Sequence, residues 1–284
     1  MVQSKEEKAY LKRKHRGGES NAKGNVYENV YAVFQIVKAI AECRNSLDAV
    51  AMQTQLEETY VDDLLIEKEG RNIYHQIKDV KSLTWDSGSS RSLSSDFENQ
   101  KALSEDRGES FLLKLVHSRS DISFKDTMPE AIKEVTETEH FPSVDDINQI
   151  IYLSKSMKQA LMKVSAKGDK STDDELADIA IAFLGAWAGC NNGKDRVTVA
   201  QVVEKCKDVS RGYANINIYP DAEISDEVKS ILDSIDGLTY CVRGEKLYWE
   251  LGQMSGEPLL SEDLEKRLLS EKPSDKLSFI KLMF

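Results

Sequence analysis

The first regular pattern of hydrophobic and polar positions along the chain is helical. Apolar residues recur every three or four positions from Asn25 to Cys43, which predicts an amphipathic helix. Asn25 directly follows Gly24 and belongs to a residue type that caps helices. We therefore expect the helix to begin at Asn25.

The next patterns indicate strands. Tyr60–Glu67 and Asn72–Val80 are rich in β-prone residues, and the short segment Lys68–Arg71 between them contains a glycine, which predicts a hairpin. Ser110–Ser118 is a nearly continuous apolar run, typical of a strand buried on both faces. Together with a helix predicted over Asp96–Leu103, these elements favour an α/β fold in which helices flank one mixed sheet.

Helical patterns dominate beyond residue 120. They predict helices over Pro129–Thr136, Asp145–Val164 and Asp173–Ala188, with the polar segment Lys167–Thr172 as a joint. The expected organisation is a basic N-terminal arm over residues 1–24, a sheet-containing domain over 25–125 and a mostly helical region over 126–284.

The end of the chain combines helices with a hairpin. Helices are predicted over Thr198–Cys206 and Ser225–Ile235, a short strand over Asn215–Tyr219 and a hairpin over Leu238–Leu251. This order of elements is similar to a winged-helix module, which would occupy residues 197–252.

Composition and charge narrow the function classes. No apolar stretch approaches the roughly 20 residues of a membrane span, and the N-terminus lacks a signal-peptide core, so we expect a cytoplasmic protein with no membrane partner. The cysteines form no C-x-x-C pair and the histidines no H-x-x-x-H pair, which disfavours a zinc hydrolase.

Residues 1–84 contain 13 basic and 13 acidic residues, so the net charge of −11 arises downstream. Such an acidic region is a poor independent DNA binder.

The predicted hairpin brings polar side chains together. Gln76 and Lys78 share one face of its second strand because side chains alternate, and Asp62 and Asp63 are expected on its first strand. Facing Cβ atoms on neighbouring strands lie about 5 Å apart, so a carboxylate can meet the Gln-x-Lys pair. Asp63 is the preferred carboxylate and Asp62 the alternative.

This set of side chains suits the hydrolysis of a phosphodiester bond. Asp63 and the amide oxygen of Gln76 are ligand types that Mg²⁺ prefers, and the backbone carbonyl of Ile77 is a further candidate ligand. Lys78 can orient the attacking water and balance charge on the phosphate. Glu28, on the preceding helix, can reach the metal or its waters, and the metal would lower the pKa of the bound water.

These residues resemble a known family. The resemblance rests on Gly17-Gly18, Gly24-x-x-Tyr27-Glu28-x-x-Tyr31-Ala32, Val61-Asp62-Asp63-Leu64-Leu65-Ile66 and His75-Gln76-Ile77-Lys78. They look like the PD-(D/E)XK endonuclease domains of bacterial anti-phage systems, in particular the double-stranded DNA endonuclease effector of cyclic-oligonucleotide-activated defence operons and its relatives. The resemblance covers about residues 17–120 and does not extend to the C-terminal half.

The resemblance implies a restriction-endonuclease-like sheet whose catalytic set is Glu28, Asp63, Gln76 and Lys78. It implies Mg²⁺ or Mn²⁺ as the cofactor and double-stranded DNA as the substrate. It also implies antiviral defence with a protein partner or sensor subunit from the same operon, in a homo-oligomer or a hetero-complex. Gln76 replaces the acidic residue of the commoner signature, so one ligand charge is missing.

Two other functions stay open from the sequence. The missing charge allows a catalytically degenerate subunit that acts by assembly. A transcription-factor-like DNA binder is weakened because acidic residues outnumber basic ones over Val202–Asp236. Taken singly, Glu28 is also typical of a solvated surface charge, and Asp62 and Asp63 of a polar strand edge. A lysine drawn into an apolar strand, as Lys78 is, is costly without a partner.

Overall fold

The structure is a computed structural model that describes residues 22–80, 82–86, 92–144, 146–209, 216–218 and 221–283. The chain divides into two compact units, Met1–Ile216 and Asn217–Phe284. Most of the predicted basic arm, residues 1–21, lies outside the described residues, as do Asp145, Asn215 and Tyr219 at the ends of predicted elements. Within the described residues no helix is long and apolar enough to cross a membrane.

The first unit is built on a mixed sheet, which confirms the predicted α/β class. Its strands are β1 Val50–Thr54, β2 Leu64–Lys68, β3 Arg71–Lys78, β4 Phe111–His117, β5 Thr136–His140 and β6 Val197–Thr198. The order across the sheet is β5-β4-β3-β2-β1-β6. The pairs β3–β4 and β4–β5 are parallel and the others antiparallel. The predicted hairpin is therefore present as β2 and β3.

Helices cover both faces of this sheet. They are α1 Ala22–Cys43, α2 Leu93–Asp106, α3 Ile150–Leu153, α4 Lys155–Val164, α5 Asp173–Gly189 and α6 Val199–Val209. On β3, Tyr74 joins the buried cluster that includes Phe97 of α2, whereas the neighbouring His75 contacts the ring of Tyr31 on α1. Because neighbouring side chains on a strand point to opposite faces, α1 and α2 lie on opposite sides of β3.

Helix α1 differs from its prediction in two respects. It begins at Ala22, so Asn25 lies inside the helix and the predicted cap at Asn25 is wrong. Every residue from Val30 to Val37 is buried, so the centre of α1 is enclosed on all sides rather than amphipathic. It packs against β3 on one side and against α4 and α5 on the other.

The region beyond residue 120 contains more strand than expected. Thr136–His140 forms β5, and β5 and β6 extend the sheet past residue 125. The helix predicted over 145–164 is interrupted, because the Ser154 hydroxyl accepts a hydrogen bond from the Met157 N–H at 3.2 Å and starts α4 as a new helix. The predicted joint at 167–172 contains the 3₁₀ turn Gly168–Lys170 inside the first unit.

The second unit contains a three-stranded sheet and helices around its own core. Its elements are α7 Asp226–Asp233, β7 Leu238–Arg243, β8 Lys246–Leu251, β9 Met254–Gly256, α8 Glu262–Glu271 and α9 Lys276–Met283. The predicted hairpin is confirmed as β7 and β8, while β9, α8 and α9 were not predicted. Helix α6 belongs to the first unit, so the module predicted over 197–252 is divided between the two units.

Candidate active site

The candidate site lies where the β2–β3 hairpin opens. The paired register of the two strands ends at Leu64 opposite His75, so Asp63 is one residue before β2 and opposite Gln76. The prediction that Asp62 and Asp63 lie on the strand is wrong in this detail. The Asp62 carbonyl accepts a hydrogen bond from the Leu56 N–H at 3.0 Å, so the backbone here closes a loop instead of continuing the ladder.

Three consecutive residues of β3 donate to one oxygen of Asp63. The Oδ2 atom accepts hydrogen bonds from the Gln76 side-chain amide, from the Ile77 N–H at 2.7 Å and from Lys78 Nζ at 3.0 Å. The ion pair is partly buried, with side-chain exposures of 33% for Lys78 and 15% for Asp63. The strand alternation thus brings together the side chains that the sequence analysis grouped.

The backbone of Ile77 faces the same opening. The Asn72 N–H donates to the Ser110 carbonyl at 2.9 Å, and the Ser118 N–H donates to the Lys78 carbonyl at 3.3 Å. The backbone N–H and carbonyl groups of the even-numbered residues of β3 therefore point toward β4. By alternation Ile77 presents its N–H and its carbonyl toward β2. Since β2 begins only at Leu64, the Ile77 carbonyl lies beyond the paired register of β2 and β3.

Glu28 is part of the same electrostatic environment. Burial is the main cause that raises the pKa of the Glu28 carboxyl to about 8; the negative charges of Asp63 and Asp62 contribute to this rise, and Lys78 opposes it. A carboxyl with this pKa is mostly protonated at pH 7. Glu28 thus interacts electrostatically with Asp63 and Lys78, and Asp62 contributes to the site by its charge.

Side chains on both sides of Glu28 fix the position of α1. The Tyr27 hydroxyl donates to the Phe141 carbonyl at 2.7 Å, and the Tyr31 hydroxyl donates to Glu139 Oε2 at 2.9 Å. Both acceptors lie at the end of β5 or just after it. Tyr27 and Tyr31 belong to the sequence motif around Glu28, so two residues of this motif attach α1 to the end of β5.

Gln100 is a residue that sequence reasoning missed. Its side chain on α2 is fully buried, and Oε1 accepts hydrogen bonds from the Tyr60 N–H at 2.8 Å and the Val61 N–H at 3.3 Å. These two amides immediately precede Asp62, so Gln100 holds the segment that positions Asp63. Its place in a predicted helix gave no signal of this role, because its partners are about 40 residues away in sequence.

The odd-numbered side chains of β3 lie outside the site, as the alternation predicts. His75 is buried, its Nδ1 pairs with the Leu64 carbonyl at 3.2 Å, and burial together with the positive charge of Lys114 lowers its pKa to about 3. His75 is therefore a neutral core residue. Asp79, which directly follows β3, accepts a hydrogen bond from the Ser143 hydroxyl at 2.8 Å.

The donor set has the right chemistry for a hard cation but is incomplete as a cage. Asp63, Glu28 and the Ile77 carbonyl supply oxygen, and Gln76 would supply its amide oxygen after a half-turn of the amide, which now donates through nitrogen. In the part of the chain that the structure describes, no three His, Cys, Asp or Glu side chains form a metal-binding group. No protein-family model and no curated protein matches the sequence.

Proposed function

We propose that the chain is a metal-dependent DNA endonuclease with a PD-(D/E)XK site, acting as an effector in an anti-phage defence complex. The observation that carries the proposal is the convergence of Gln76, Ile77 and Lys78 on Asp63 at the open end of the hairpin. The resemblance of the surrounding motifs to anti-phage endonucleases supports the biological setting.

Each residue then has a distinct task. Asp63 and the Ile77 carbonyl would hold Mg²⁺ or Mn²⁺, with Gln76 as a neutral ligand and Glu28 as a second carboxylate or a contact to bound water. The metal would supply Lewis-acid activation of the phosphate and a water of lowered pKa. Lys78 lies 3.0 Å from Asp63, so its ammonium would be beside the metal, where it can orient the water and balance charge on the phosphate.

The charge of the chain explains why a partner belongs to the proposal. The net charge is −11, and phosphate neutralisation supplies most of the affinity for nucleic acid. A sensor subunit with a basic surface would offset the negative net charge, and a homo-oligomer would engage one duplex with more than one copy of the site. The acidic C-terminal part of the chain, residues 126–284, is the part that we expect to contact protein.

A degenerate assembly subunit is the second candidate, and one observation favours it. Gln76 contributes no charge, and the described residues contain no group of three acidic or thiol or imidazole metal ligands. A protein whose site has too few charged ligands would keep its fold but would not bind the metal. The same cluster would then be a structural ion pair between Asp63 and Lys78.

The deciding experiment is plasmid cleavage. Purified protein is incubated with supercoiled plasmid in Mg²⁺, Mn²⁺ or EDTA, with and without the proteins encoded beside it. Lys78→Ala removes the ammonium, and Lys133→Ala serves as a matched control because Lys133 is an exposed lysine paired with Glu130 outside the site. Metal-dependent nicking by the parent and the control but not by Lys78→Ala supports the nuclease. Absence of nicking under every condition favours the assembly subunit.

A further inference from the structure

The side of the sheet that carries the Asp63 cluster continues onto two more strands. In the parallel register, Lys78 at the end of β3 pairs with His117 at the end of β4, and His117 pairs with His140 at the end of β5. Residues paired side by side in parallel strands share a face. Lys78, His117 and His140 therefore form a strand-end row of three nitrogen-bearing side chains.

The middle member of this row is buried and incompletely satisfied. His117 is 5% exposed, and its ring lies between Phe124, at 4.5 Å between ring centroids, and His140, at 5.9 Å. The ring is hydrogen-bonded to the backbone of Arg119, whereas Nδ1 has no partner among the described residues. A buried polar atom without a partner is uncommon and calls for a functional explanation.

The outer member is accessible to a ligand. His140 is exposed at the end of β5, and its ring contacts that of His117. Neighbouring strands are about 4.8 Å apart, so two steps across the sheet separate Lys78 from His140 by about 10 Å at the backbone. Two side chains this far apart can contact separate phosphates of one nucleic-acid strand rather than a single phosphate.

We propose that the strand-end row is the path of the substrate strand, with Lys78 at the phosphodiester that is cut, His140 on the neighbouring phosphate and His117 as the positioning residue of His140. This inference rests on the proposed nuclease function and adds the residues that hold the substrate strand next to the phosphodiester that is cut. Imidazole N–H groups are suitable donors to phosphate oxygens, and such contacts set the register of a strand without reading its sequence.

A pair of substrates tests the row. One is a fluorescent double-stranded oligonucleotide, and the other is bis(4-nitrophenyl) phosphate, which has a phosphodiester but no neighbouring phosphate. His140→Ala should lower kcat/KM for the oligonucleotide about tenfold, mainly through KM, as expected for the loss of one hydrogen bond to a charged group. Hydrolysis of the small ester should stay unchanged, and His140→Lys should restore cleavage of the oligonucleotide.

His117 is tested by the same pair of substrates. His117→Ala should also lower kcat/KM for the oligonucleotide and leave the small ester unaffected, because a merely structural defect would reduce both rates. An active parent whose His140→Ala variant loses activity equally on both substrates, or on neither, overturns the inference and leaves the nuclease function standing. A parent that hydrolyses neither substrate, with or without its partner proteins, overturns the proposed function and this inference together.

Discussion

The carboxyl of Glu28 gives the sharpest test of the site, and the test needs no substrate. Its pKa of about 8 in the folded protein lies above its ordinary value of 4.5. In the unfolded chain the group ionises near pH 4.5, so the free energy of unfolding falls progressively as the pH rises from 4.5 to 8. Above pH 8 the loss of stability is complete. Glu28→Gln keeps the shape of the neutral acid and cannot ionise, so we expect it to be more stable than the parent at pH 9.

The size of the effect follows from the displacement of the pKa. One pKa unit corresponds to about 1.4 kcal/mol, so a rise from 4.5 to about 8 sets a ceiling of about 5 kcal/mol. Water around the partly exposed carboxyl reduces this ceiling, and we expect about 2 to 3 kcal/mol at pH 9. For a unit of roughly 200 residues this free energy corresponds to about 5 to 10 °C in Tm.

Thermal melts in EDTA at pH 4, 7 and 9 provide the measurement. The difference in Tm between Glu28→Gln and the parent should vanish at pH 4, appear at pH 7 and be largest at pH 9. Glu42→Gln is the control, because Glu42 is on the same helix, is 43% exposed and pairs with Lys68 at the surface. A Glu28→Gln variant that is no more stable than the parent at pH 9, or equally shifted at every pH, would refute the assignment of Glu28 to this environment.

Four further expectations concern the proposed site and the assembly. Lys78→Ala should have the same Tm as the parent and lose about 10²- to 10³-fold in the rate of plasmid nicking. Asp63→Ala should lose nicking in the same way and should, in addition, bind Mg²⁺ more weakly in calorimetry because it deletes a ligand. Mg²⁺ binding at pH 7 should release about one proton from the parent and none from Glu28→Gln, measured in buffers of different ionisation enthalpy. Gln100→Ala should lower the free energy of unfolding by about 1 to 3 kcal/mol and speed amide exchange just before Asp62, whereas the exposed Asn99→Ala should do neither. Light scattering should detect a homodimer or larger complex, and a fully active monomer that needs no partner would contradict this.

The elements around the site were predictable because their signals are local. The β2–β3 hairpin follows from two β-prone runs and a glycine turn, and the meeting of Asp63 with Gln76 and Lys78 follows from the two-residue period of a strand. Nothing in that reasoning required knowledge of distant residues. The start of β2 was nevertheless placed too early, since the hydrogen bond that diverts Asp62 into a loop comes from Leu56.

The elements that escaped prediction depend on distant partners. Thr136–His140 reads Thr-Glu-Thr-Glu-His, which has no apolar period, and it becomes a strand by parallel pairing with β4 more than 20 residues earlier in the chain. Its polar side chains find partners across the sheet and on α1, since Lys114 pairs with Glu139, which also accepts from Tyr31. Tertiary contacts of this kind override local propensity and leave no trace in a short window of sequence.

The carboxyls of Asp63 and Glu28 are supported very differently, and this difference has a physical consequence. Asp63 is surrounded by three donors from β3, so its burial is compensated in the protein alone. Lys78 lowers the pKa of Glu28 but is already paired with Asp63, and burial together with the charges of Asp63 and Asp62 outweighs it. A cation placed between the two carboxyls would supply the charge that Glu28 lacks, so under the proposed function the metal-free protein carries a destabilising group that metal binding relieves. A loss of folding stability at Glu28 is therefore expected if the site was selected for binding a cation rather than for packing.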